Sequence, residues 1–220
     1  MRLWMRDHGL LLANFGLFVV FWFGQLLTGL HVYNQDQLEH HSSTVTLAAY
    51  LHTGNLVEAT FENWESEFLQ MGMYVLLTAY LFQRGSSESK PIDGPAPQDA
   101  DPRDADQRKS VPWPVRRGGI ILAFYERSLS TLFFVLFFAS FALHAAGGAR
   151  DYSENQLAHG QAAVSIWRFM TTSEFWFQSF QNWQSEFLAV SVIVGASVYL
   201  RQKGSAESKP VAEPHHATGA

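Results

Sequence analysis

The chain has 220 residues, a formal net charge of −5, no cysteine, 18 phenylalanines and 7 tryptophans. The lack of cysteine excludes disulfides, thiol catalysis and thiolate metal sites, and the acidic balance argues against a nucleic-acid partner. A mean hydropathy near zero hides a segregation in which very apolar runs alternate with polar connectors, a polar linker and a polar tail.

Met1 to His8 is a short basic start with Arg2 and Arg6. Gly9–Leu30 follows as 22 residues without a charge, enough to cross a hydrocarbon core of about 30 Å as a helix. The run is too long and aromatic for a cleaved leader, and no small-x-small site follows it. Residues 31–57 are polar and mixed. Within them Leu38, Val45, Leu47, Ala48 and Leu51 predict a short amphipathic helix on the membrane surface. Phe68–Phe82 is apolar but short for a span. Starting it near residue 60 completes a span at 60–83 and puts Trp64 at the lipid–water boundary, where aromatic belts sit.

Residues 85–114 are rich in Pro, Asp and Ser and bury too little apolar surface to offset their ordering entropy, so they read as a disordered linker. Val115–Arg127, with Arg116, Arg117 and Arg127, reads as an interfacial lead-in to a third span at 128–149. The one titratable group of that span, His144, reads as a hydrogen-bonded core residue rather than a haem ligand. A second polar connector fills 150–176. A fourth span, 179–201, carries Ser191 and Gly195 at the spacing that lets membrane helices approach closely. Residues 204–220, with His215 and His216, read as a disordered tail.

The chain repeats itself. Asn63-Trp64-Glu65-Ser66-Glu67-Phe68-Leu69 returns as Asn182-Trp183-Gln184-Ser185-Glu186-Phe187-Leu188, shifted by 119 positions. The shift holds without a gap from Tyr33/Tyr152 to Pro91/Pro210, with 23 of 59 pairs identical. This is the signature of a tandem duplication. The expected fold is therefore all-α and membrane-embedded: four transmembrane helices as two duplicated hairpins, residues 1–84 and 115–203, related by a pseudo-two-fold axis. Lysine and arginine concentrate in the termini and the linker, and only Arg150 and Arg168 fall in the connectors. The positive-inside rule then puts both termini in the cytoplasm and both connectors, with the repeated motifs, toward the outer face.

The candidate site is the repeated polar set: Glu67 and Glu186, with Asn63 and Asn182 one turn earlier, Ser66 and Ser185, and His40 and His159 in the connectors. A carboxylate at the edge of an apolar run is costly and usually faces a bundle interior. Two such groups brought close would share a proton. Three readings compete. The leading one is a polar network that fastens the connectors onto the helix ends. A proton or ion path through Glu67 and Glu186 is the second. The third is a divalent metal on Glu67, Glu186, His40 and His159. Asp36, Glu39, His40 and His41 carry metal-site letters, but the other copy has Asn155, Ala158, His159 and Gly160 there, so most of that cluster reads as solvated surface.

The doubled Asn-Trp-x-Ser-Glu-Phe-Leu motif, the Gln-Leu-x-His element and the Glu-Ser-Lys-Pro tails resemble an uncharacterised family of small bacterial inner-membrane proteins with a domain of unknown function. The resemblance implies a multi-pass protein of the bacterial inner membrane and carries no activity. The expected role is a non-enzymatic scaffold or accessory subunit, with its cofactor unknown: either none or, as the lesser option, a divalent metal. Its partners would be the lipid bilayer and a second copy or a larger membrane complex.

Overall fold

A computed structural model describes residues 2–105 and 111–219. Arg108 and Lys109, which count toward the charge asymmetry, lie outside the described residues. Among those described the chain is all-helical. The order is α1 (Arg2–Asp7), α2 (Gly9–Glu39), α3 (Leu47–Tyr50), α4 (Gly54–Tyr80), two 3-10 turns (Pro97–Asp99 and Pro102–Asp104), α5 (Trp113–Arg117), α6 (Gly119–Tyr125), α7 (Ser128–Ala158), α8 (Ile166–Phe169) and α9 (Ser173–Ala196). The starts of α2, α3 and α4 recur 119 positions later as those of α7, α8 and α9.

Two of these helices, α2 and α7, are long and apolar enough to cross a membrane. Both run further than their apolar stretches. His31–Glu39 carries no Gly or Pro, and extending a helix is cheaper than ending it and nucleating another, so α2 absorbs the first third of the expected connector. Both helices stop in the same way. His41 has φ 57° and Gly160 has φ 73°. The amide of Ser42 donates to the Gln37 carbonyl and that of His41 to Leu38, and the amides of Gln161 and Gly160 donate likewise to Gln156 and Leu157. This is the left-handed Schellman stop. At 27 and 24 residues, α4 and α9 have sufficient length, but Glu58, Glu62, Glu65 and Glu67 on α4 and a run of glutamines on α9 lower their apolar character.

The chain separates into two compact units. The first joins Met1–Phe61 to Leu143–Phe175, and the second joins Glu62–Ala142 to Trp176–Ala220. In the first unit, Leu26, Tyr50 and Leu56 form a core with Leu30, Tyr33 and Val45 against it, while Phe169, Phe175 and His144 are fully buried. His144 stacks on Phe175 at 4.8 Å, as a core residue does. A close helix approach here uses glycine. A Cβ on Gly54 would stand 2.7 Å from the Asp151 amide nitrogen, and one on Gly147 would stand 2.6 Å from that of Glu58. The predicted close approach at Gly195 is not made: a Cβ there would meet open space.

In the second unit the segments after α4 and α9 include hydrogen-bonded turns. Ser89 Oγ accepts from the Gln83 amide at 3.1 Å and Ser86 Oγ from the Glu88 amide at 3.1 Å. Ser208 and Ser205 do the same for Gln202 and Glu207. Each Glu-Ser-Lys-Pro tail thus takes part in a serine-accepted turn past a helix end. Lys209 is buried, and its Nζ donates to the carbonyls of Pro214, His215 and Ala217.

Candidate functional site

The first unit contains a cavity of about 650 Å³ lined by, among others, Tyr33, Asp36, His40, Asn55, Asp151 and Glu154. The polar ends of α2 and α7 and the first turn of α4 supply these side chains. Tyr33 donates its hydroxyl to Glu154 Oε2 at 3.2 Å. Burial, and then the Glu154 charge, push the Tyr33 phenol up to about 12. Arg150 donates to the His52 carbonyl at 2.6 Å and to Glu154 Oε1 at 3.3 Å. Asp151 is hydrogen-bonded to the side chains of Asn55 and Glu58. Burial first, and the Glu154 charge second, hold its carboxyl above the ordinary carboxylate range.

The connectors are sewn to these helices. Asn34 donates to the Val45 carbonyl at 3.0 Å and accepts from the Val45 amide at 2.7 Å. Ser153 makes both corresponding bonds to Val164, at 3.2 and 3.0 Å. Tyr33 packs on Tyr50 at 5.5 Å, and Tyr152 on Phe169 at 5.5 Å. Of the residues expected to form the site, His40 and His159 stand together, ring centroids 5.6 Å apart. Both are exposed. Each Nδ1 donates to the carbonyl four residues earlier, Asp36 and Asn155.

The other expected site residues lie in the second unit. Glu67 is exposed and Glu186 half-buried, and Glu186 feels the charge of Glu67. Asn63 is exposed and Asn182 half-buried; Ser66 is buried and Ser185 exposed. The Ser66 and Ser185 hydroxyls donate to the carbonyls of Asn63 and Asn182 on their own helices. The fully buried acid of this motif is Glu65. Ser179 donates to its Oε1 at 2.8 Å and Trp183 Nε1 does so at 3.2 Å. Among the described residues, no three His, Asp or Glu side chains are grouped so as to hold a metal ion.

Identity between positions 119 apart marks Glu67 and Glu186 but not Glu65, Glu58 or Asp151. Positions 119 residues away carry Gln184, Phe177 and Val32. The pattern that marks these three is an acid at one position and an uncharged residue 119 positions away.

No curated protein and no solved structure matches the chain. A family described as a domain of unknown function, DUF6766, matches residues 1–220, and the chain belongs to that family.

Proposed function

We propose that the protein is a four-span membrane scaffold or accessory subunit, built by tandem duplication of a helical hairpin, whose polar helix ends form a rigid platform on the outer side of a bacterial inner membrane. The observation that carries this reading is the stitching of the connectors. Asn34 and Ser153 each hold their connector by a pair of backbone bonds, and Tyr33, Arg150 and Glu154 tie residues of the first copy to residues of the second. Polar groups spent on one another in this way fix geometry rather than process a substrate.

Membrane placement is supported by the exposed apolar side chains of α2, among them Leu10, Leu11, Phe15, Val20 and Phe21. Those of α4 and α9 add Leu76, Leu77, Leu188 and Val192. At 1.5 Å per residue, α4 reaches about 40 Å, longer than the hydrocarbon core. Its buried acid, Glu65, is supplied with two donors, which offsets much of the cost of burying it.

The cysteine-free chain suits a direct test. Single cysteines at Ser43 and Ala162 react with an impermeant maleimide in intact cells under this reading. Cysteines at Ala100 and Ala212 react only after permeabilisation. Equal labelling of all four, or the opposite pattern, overturns the topology. The second reading, a proton- or ion-coupled transporter, rests on the electrostatic contact of Glu67 with Glu186. It requires flux in proteoliposomes that Glu67→Gln abolishes, and the scaffold reading requires none.

A further inference from the structure

The helix crossing in the first unit carries a feature that the scaffold reading leaves unused. Glu58, on the second turn of α4, is only 8% exposed. The Gly147-Gly148 backbone of α7 packs against it: a Cβ on Gly148 would lie 2.8 Å from Glu58 Oε1. On the same face of the crossing, Asp151 is hydrogen-bonded to Glu58 and to Asn55. A hydrogen bond between two carboxyl groups needs a hydrogen, so one member of the pair carries a proton whenever the bond is made. Asn55 and Asp151 line the 650 Å³ cavity, which gives the pair a route to water.

We propose that Glu58 and Asp151 share one proton that locks the start of α4 onto α7, and that its loss as pH rises loosens this crossing, making it a pH-sensitive device on the connector side of the molecule. The surroundings favour retention of the proton. From α2 come Asp36 and the Tyr33 hydroxyl; from α7 come Glu154 and the cation Arg150, which is occupied by Glu154 and the His52 carbonyl. Tyr50 faces the group from α3 with its hydroxyl on Asn55, and His40 borders the cavity mouth. A second carboxylate charge would therefore enter a buried place already ringed by Asp36 and Glu154. Positions 119 residues away hold Phe177 and Val32, so the repeated pattern itself does not call for acids here. The proposal stands apart from the membrane reading, since the pair and the cavity lie within one compact unit whichever way the chain is oriented.

The test is an infrared titration of the full chain in detergent, following the carbonyl stretch of protonated carboxyl groups, alongside melting temperature against pH. Exposed carboxyls are almost wholly ionised by about pH 6. The expected result is a protonated-carboxyl band worth one group per chain at that pH, absent in both Glu58→Gln and Asp151→Asn and retained in Glu67→Gln. The melting temperature of the wild type falls as the band disappears. Either neutral variant still offers an amide donor or acceptor across the pair, and its melting temperature is flat over the same range. A band absent in the wild type at pH 6, or one that survives both substitutions, overturns the proposal. So does a Glu58→Gln chain whose melting temperature keeps the wild-type dependence on pH. Should one variant fail to fold, the other and the wild-type titration decide the matter, and failed membrane topology with a positive titration leaves the lock intact.

Discussion

Gly148 stands where a methyl group has no room, 2.5 Å from a Phe169 ring carbon and 2.8 Å from Glu58 Oε1. Gly148→Ala must push a fully buried ring or a buried carboxyl aside, and overpacking of that kind costs about 1–3 kcal/mol. Gly9→Ala, with nothing near its added carbon, leaves the melting temperature unchanged or slightly raised, so the pair of variants separates crowding from glycine loss in general. Tyr33 offers a second check at this scale. Its phenol titrates near 12 in the folded chain against an ordinary 10 because burial, then Glu154, disfavour the phenolate. A raised folded value means the contribution to stability is complete below about pH 10 and is lost as pH climbs through 12. Tyr33→Phe should remove that alkaline step from a plot of melting temperature against pH. If the step remains, another group carries it.

Element ends are set by side chains that sequence patterns do reveal, once their partners are known. Thr46 and Ser165 accept from the amides of Ala49 and Arg168 and start α3 and α8. Thr46→Ala should cost about 0.5–2 kcal/mol. At the other end of α2, His41 occupies a left-handed stop that Gly160 fills after α7. The left-handed region costs a residue with a side chain about 1–2 kcal/mol, so His41→Gly should raise the melting temperature, partly offset by the greater freedom of glycine when unfolded. A fall in melting temperature would show that the His41 side chain holds something in place. The turn after α4 uses Ser89 as an acceptor for the Gln83 amide. Ser89→Ala should speed amide exchange at Gln83 by removing its acceptor, with little change at Val75. Hydrophobic periodicity could not have located these stops, because His31–Glu39 is polar yet continues as helix until a backbone stop is reached.

For the whole molecule, the informative fact is that the first unit draws on both halves of the chain. Tyr33 meets Glu154, Arg150 meets the His52 carbonyl and His40 meets His159. Residues 1–105 and 111–220, co-expressed as separate chains, should therefore co-purify. Arg150→Ala combined with Tyr33→Phe should weaken their association. Halves that never associate would mean that the continuous backbone, not these contacts, holds the unit together.

The letters alone established the helical class, the period of 119 and the two most apolar helices. Each of these depends on composition and spacing along the chain, which are visible without coordinates. Repetition also drew attention to Glu67 and Glu186, because identity between copies is easy to see. Tertiary structure decided which acids are enclosed. Glu65 is held by Ser179 and Trp183, and Glu58 is pressed on Gly147-Gly148 beside Asp151. Burial of a carboxyl depends on what an element far away in sequence brings against it. That information resides in the crossing of two helices and in no single stretch of either.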